Sequence, residues 1–217
     1  MADTSFLLGA ALTIIVMTNL ALLYVVRLKH CIQAVALQGV LMGLLPLMLA
    51  VGPLNLHVGL LSLAFFTVKG VLLPWLLTRS LRKVRVRSLV EPYLGHSLSL
   101  LAGVAALLVA IWLTARLPLP ADPQFKLMFP VALAAILSGL LIIVTRRKAL
   151  SQVIGYLAAE NGISLLSAPM VGYDVLWLEI SILLDVFVGV FVMGIAIYHI
   201  NQAFDSIDVT RVAALHD

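Results

Sequence analysis

The chain has 217 residues, of which 63% are hydrophobic and only 11% charged, against roughly 45–50% and about 25% in an ordinary soluble domain. Its mean hydropathy of +1.14 is more than a soluble core of this length can hide, so a bilayer is the solvent for most of it. The net charge of +4 does not point to nucleic acid, because the charges stand between apolar runs as they do in membrane loops.

A spanning helix needs about 20 mostly apolar residues, and seven stretches supply them. The first, 5–26, follows Met1-Ala2-Asp3 with no basic segment ahead of it and reads as a retained helix, not a cleavable signal. The second, 31–51, follows Arg27-Leu28-Lys29 and contains Gln33, Gln38 and the GxxxG pair Gly39 and Gly43. Such polar groups, with Asn19 in the first span, commonly glue helices together, and the glycines permit close helix approach. Gly52-Pro53-Leu54-Asn55 then turns the chain into the third span, 57–78, which holds Lys69. The basic stretch Arg79 to Arg87 precedes the fourth, 95–115, and Leu117-Pro118-Leu119-Pro120 precedes the fifth, 127–145. The sixth, 149–171, follows Arg146-Arg147-Lys148 and contains Glu160; the seventh, 175–199, contains Asp185 and leads into a polar tail. Pro46, Pro74 and Pro169 fall near predicted helix ends, as do His57, His96 and His199.

The expected fold is therefore an all-α, polytopic transmembrane bundle of about seven helices. Of the 14 basic residues, eleven lie in the tail and in the connections after the first, third and fifth spans; two, Arg116 and Lys126, lie in the opposite connections. Lys69 is the remaining one. Since cytoplasmic loops carry the excess of Lys and Arg, the N-terminus is expected outside and the C-terminus in the cytoplasm. The chain divides into a three-helix unit over 1–93, a linking fourth helix over 94–121 and a second three-helix unit over 122–217. Arg27 and Arg146 stand at matching offsets before Gln33 and Gln152, as a parallel internal repeat would place them. The positive-inside rule alone also puts basic residues at such helix starts.

Ionisable groups at mid-depth are the most informative residues, because each costs roughly 2.5–3.5 kcal/mol on insertion scales and usually faces the bundle interior, pairs, or marks an ion path. Three qualify: Lys69, Glu160 and Asp185. Ser164 lies one turn beyond Glu160, so a polar stripe is expected to face inward. Desolvation disfavours the charged form of a carboxyl group, and a buried carboxyl that exchanges protons is what a relay requires. The same group can instead be a hydrogen-bonded tie between helices, and Lys69 can line a path, pair with a carboxylate or reach toward wetter surroundings. No spacing suggests a metal site, a haem pair, a phosphate loop or a nucleophilic triad. No cofactor is expected, and the chain is not expected to be an enzyme by itself.

The run Arg146-Arg147-Lys148-Ala149-Leu150, then Ile154-Gly155, then Asn161, resembles the second helix of the small K-type subunit of respiratory complex I and the related C subunit of multisubunit sodium/proton antiporters. In that family a buried glutamate precedes an asparagine, and the last helix has a second buried acid, which Asp185 matches. The family's glutamate falls at Leu157, so Glu160 stands one turn away, about 4.5 Å in depth. The greater length, with added N-terminal helices and Glu160-Asn161-Gly162 in this place, is similar to the membrane component E family of hydrogenase-4, a part of group 4 energy-converting hydrogenases and formate hydrogenlyase relatives. That resemblance implies a multi-pass subunit of a bacterial or archaeal cytoplasmic membrane, in a hetero-oligomer with antiporter-like and quinone-site-type subunits and, indirectly, hydrogenase and iron–sulfur subunits. Glu160 and Asp185 would be proton-relay carboxylates with Lys69 as charge partner. The alternatives are a purely structural bridge between the electron-transfer arm and the antiporter-like subunits, and a stand-alone secondary transporter. The latter is disfavoured because the sequence lacks the broken helices expected of one.

Overall fold

A computed structural model of the chain describes residues 2–49, 56–83, 95–119 and 123–168, with residues 184, 187–189, 191 and 194 each helical. The chain forms α1 (Ala2–Tyr24), α2 (Leu28–Leu49), α3 (Leu56–Phe65), a π-helical segment (Phe66–Leu72), α4 (Leu73–Lys83), α5 (His96–Arg116), α6 (Pro123–Thr145) and α7 (Ala149–Ser167). Among the described residues, five helical stretches are long and apolar enough to cross a membrane: Phe6–Tyr24, Leu28–Leu49, Val58–Leu81, His96–Arg116 and Pro123–Thr145. They fall on the first five expected spans. The sixth expected span folds as α7, whose Gln152, Glu160, Asn161 and serines make it more polar than these five. Most of α7 is buried among the other helices, where Glu160, Asn161 and Ser164 find partners. The seventh lies largely outside the described residues, and Asp185 with it.

Six threonine hydroxyls within these apolar helices are satisfied locally. Thr13, Thr18, Thr67, Thr78, Thr114 and Thr145 each donate to the carbonyl one turn back, as a medium without water demands.

Two apolar clusters hold the bundle. One gathers Leu22 and Leu23 of α1, Leu28 to Val35 of α2, Leu73 and Leu77 of α4, Ile142 of α6 and Val153 to Ala158 of α7, with Val188. These residues are the end of α1, the start of α2, the end of α6 and the start of α7, so Arg27, Lys29, Arg146, Arg147, Lys148 and the basic end of α4 fall at one end of the bundle. Arg146 itself is buried, and its Nη2 donates to the Leu23 carbonyl at 2.6 Å, so the α6–α7 connection is fastened to the open end of α1. Burial lowers the pKa of this guanidinium from its ordinary value. The second cluster joins Leu8, Leu12 and Ile15 of α1 to Met42 and Leu45 of α2, Met128 and Ala132 of α6 and Leu165 of α7. It lies toward the other end.

Helix association in lipid relies on close packing, since lipid is as apolar as leucine, and glycines set the closest contacts here. A Cβ on Gly155 would meet the Gly139 carbonyl oxygen at 2.8 Å, and one on Gly162 the Ala132 carbonyl oxygen at 2.8 Å, so α6 and α7 touch backbone to backbone. A Cβ on Gly43 would lie 2.8 Å from the Phe66 Cα, and one on Gly39 would lie 2.9 Å from the Gly70 nitrogen and still nearer the Lys69 carbonyl. The GxxxG pair of α2 is thus the seat of the π-helical segment.

That segment departs from the sequence expectation. Pro74, expected near a helix end, lies inside a span that continues to Leu81. In a continuous α-helix its ring would collide with the carbonyl four residues back, and it has no N–H to donate. The chain meets this by widening its register immediately upstream, where the Leu73 N–H bonds the Val68 carbonyl five residues back. The third span is therefore continuous but irregular, and π segments of this kind often coincide with functional sites.

Gly43→Leu places its side chain against the backbone of the π segment, which overpacking puts at about 1–3 kcal/mol. We expect a clearly lowered thermal midpoint for the purified protein. Gly59→Leu, at a glycine with open space around it, serves as control and leaves the midpoint nearly unchanged.

Candidate functional site

Between the two apolar clusters lies a layer of buried polar side chains. On α1 it is Asn19, between Ile15 and Leu22; on α2 it is Gln38, between Val35 and Met42; on α7 it is Glu160 and Asn161, between Ala158 and Leu165. Lys69 enters from the π segment, on the buried face that runs Ser62, Phe65, Lys69, Leu73 and Leu77.

Lys69 and Glu160 are 3% and 4% exposed, and the ammonium stands 2.5 Å from the Glu160 carboxylate. Nζ donates to both carboxylate oxygens and also to Ser164 Oγ at 3.0 Å. The Ser164 hydroxyl donates in turn to Glu160 Oε1 at 3.1 Å, closing a triangle. The Phe65 ring lies 5.4 Å from the same ammonium, within the range of a cation–π contact. Two charges that a bilayer would exclude have been placed where each is the other's counter-ion.

An amide chain continues the layer sideways. Asn161 Nδ2 donates to Gln38 Oε1 at 3.3 Å, and Gln38 Nε2 donates to Thr18 Oγ1 at 2.9 Å and to Asn19 Oδ1 at 3.3 Å. Gln38 is completely buried and ties α7 through α2 to α1. Asn19 Nδ2, at the end of the chain, has no partner among the described residues.

The structure thus brings together Lys69, Glu160 and Ser164, which the sequence marked through their cost or spacing. It also joins Asn19 and Gln38, expected from the sequence to be helix-packing glue, to Asn161 in one network. The available signal was that each is an amide inside a largely apolar helix, Gln38 near the middle of its own. Gln33, by contrast, is exposed at the basic end and takes no part. Asp185 lies outside the described residues. Among the described residues no group of three or more His, Cys, Asp or Glu side chains is placed to hold a metal ion.

Fold and site together define an all-helical, multi-pass membrane protein with an ion pair sealed in its interior. The chain is 29% identical over 154 residues, 71% of its own length and 71% of the relative's, to hydrogenase-4 component E of Escherichia coli K12, and to the same extent to that of Shigella flexneri. Over its whole length it is 24% identical to an uncharacterized protein of Mycobacterium tuberculosis, covering 99% of that relative. No family model matches the chain, and no solved structure matches it.

Removing one partner of a buried pair strands the other charge, at a cost of roughly 3–5 kcal/mol. Lys69→Met and Glu160→Gln should therefore each lower the thermal midpoint sharply. The double variant should be more stable than the sum of the two losses requires. Purely additive losses in this cycle would contradict the pairing.

Proposed function

We propose that the chain is a non-catalytic membrane subunit of a complex I-related assembly of the hydrogenase-4 type. In this reading Glu160 and Asp185 are proton-relay carboxylates, with Lys69 as charge partner, and they help conduct protons or transmit redox-driven changes to antiporter-like neighbours. The observation that carries the reading is the Lys69–Glu160 pair, held at mid-bundle between two apolar clusters. The likeness to hydrogenase-4 component E supports a place in a multisubunit complex, where other subunits supply the redox chemistry. Collection of the basic connections at one end of the bundle supports seven spans in a cytoplasmic membrane with the N-terminus outside.

The chemistry follows from the pair. Glu160 as a carboxylate neutralises Lys69. When Glu160 takes a proton it becomes an uncharged carboxyl, and Lys69 is left as a lone buried cation. Proton arrival and loosening of the tie between the π segment and α7 are then one event. Loss of the proton restores the attraction. A group whose protonation changes the energy of its helix contacts is suited to coupling proton movement with rearrangement in a neighbouring subunit.

A second reading, a purely structural bridge between subunits, is favoured by the completeness of the hydrogen bonding around Glu160 and Gln38. The two readings separate on Glu160→Gln and Asp185→Asn. Both changes keep side-chain size while removing the exchangeable proton. In membrane vesicles containing the assembled complex, the relay reading expects each variant to retain redox turnover while proton translocation falls toward background. Unchanged translocation in an assembled complex would leave only the structural role.

A further inference from the structure

From the π segment into α4, the third span has an inward and an outward face. Leu73, Leu77 and Ser80 are buried, and a Cβ on Gly189 would lie 3.3 Å from Leu73 Cδ2 and 3.2 Å from Leu76 Cδ1. Those positions pack against the rest of the chain. Val71, Leu72 and Trp75 are instead 54%, 38% and 52% exposed, and Arg79 is exposed one turn further on. The Arg79 guanidinium lies 5.2 Å from the centre of the Trp75 ring, within the range of a cation–π contact. It makes no ion pair among the described residues.

Depth gives this outward stripe its meaning. Lys69 stands at mid-bundle, and Arg79 follows ten residues later, about 15 Å along a helix. That is half the roughly 30 Å hydrocarbon thickness of a bilayer. The stripe therefore runs from hydrocarbon, at Val71 and Leu72, through an indole at the boundary where Trp is enriched, to a guanidinium at headgroup level. The other end of the bundle has a similar pair: Trp112 is 58% exposed, and the Arg116 guanidinium lies 5.2 Å from its ring. Only Arg79 leads into a basic stretch, since Arg82 and Lys83 stand one turn on, at the end of α4, and Arg85 and Arg87 follow. The sequence has no Asp or Glu between Asp3 and Glu91 to offset them.

We infer that the face formed by Val71, Leu72, Trp75 and Arg79, with Arg82 one turn on, is a site for an anionic phospholipid. An acyl chain lies along the apolar residues, and the phosphate accepts from Arg79, whose planar guanidinium suits a phosphate better than an ammonium does. An acidic segment of a neighbouring protein would answer the charges but not the apolar stripe that leads to them. A phospholipid answers both. Because α4 continues the π segment, the headgroup holds one end of this span at the interface while Glu160 holds Lys69 at mid-depth. This lipid contact stands whether or not Glu160 relays protons.

The test compares two lipids on the same chain. The assembled complex is placed in vesicles of phosphatidylcholine and phosphatidylglycerol. A tracer of one lipid or the other, at equal mole fraction, carries the same photoreactive diazirine on its acyl chain, and cross-links are mapped on this chain by mass. At residues 71–75 the phosphatidylglycerol tracer should label at least about fivefold more than the phosphatidylcholine tracer, the enrichment that one basic side chain near an anionic surface supports. At Leu108, 61% exposed in the middle of α5, the two tracers should label alike. Arg79→Gln should bring the ratio at residues 71–75 down toward that at Leu108, while Arg79→Lys, which keeps the charge without the planar fork, should retain part of the excess. Arg79→Gln combined with Arg82→Gln should abolish it. Equal labelling by the two tracers in the unaltered chain, or an excess that survives the double change, overturns the site. So does an absence of labelling at residues 71–75 by either tracer in the assembled complex, since the face would then be covered by protein.

Discussion

An ion pair inside an apolar bundle is tolerable only at contact distance. Each charge taken from water loses several kcal/mol of hydration, and the attraction between the two compensates only when the geometry is close and the remaining polar atoms are bonded. Lys69 and Glu160 satisfy that condition through the shared Ser164 hydroxyl. Meeting it constrains the backbones around them. The π segment carrying Lys69 must lie hard against α2, which is why Gly39 and Gly43 face it without side chains. The helix carrying Glu160 must be fixed from behind, and Gly155 and Gly162 bring it into backbone contact with α6. Close backbone packing at glycines thus flanks the Lys69–Glu160 pair.

The rest of the polar layer obeys the same rule at lower cost. Gln38 uses its oxygen toward Asn161 and its nitrogen toward Thr18 and Asn19, so one amide satisfies groups on two neighbouring helices. Bonds of this kind in membrane proteins are individually modest, about 0.6 kcal/mol on average in measured cycles. Their larger effect is to set register, because a shift of one residue along α2 would leave Gln38 unsatisfied in an apolar setting. Arg146 plays a comparable part at the basic end, where its guanidinium bonds a terminal carbonyl of α1, one of the groups every helix end leaves open. It also has a nitrogen without a partner among the described residues.

How much of this the sequence disclosed depends on the scale of the interaction. The first five spans were legible because each is an apolar run of nearly bilayer length, and the basic connections because Lys and Arg are confined to them. Lys69 and Glu160 stood out because charge in such runs is costly. Their partnership was not legible: they are 91 positions apart, and nothing in either helix states which face meets which. The π segment was hidden for another reason. Its register differs from an α-helix by one residue per bond, a change that leaves composition and periodicity almost untouched over seven residues; only Pro74 hinted at it, and a proline near a helix end has a simpler explanation. Asn19, Gln38 and Asn161 were each visible, but an amide in a membrane helix is inexpensive enough to need no partner in an argument from sequence.

A buried pair held this carefully is a poor choice for stability alone. Well-packed apolar side chains in its place are often neutral or more stable by about 1–4 kcal/mol, and in lipid the small residues already provide close helix contact. What an apolar substitute cannot do is change its own charge. The pair sits on an irregular stretch of helix, where the backbone has already departed from its commonest register. Each of these features taken singly is compatible with a structural tie. On the proposed relay reading, their coincidence at one depth would give a protonation event at Glu160 a mechanical consequence, because losing the carboxylate charge weakens the contact that draws the π segment toward α7.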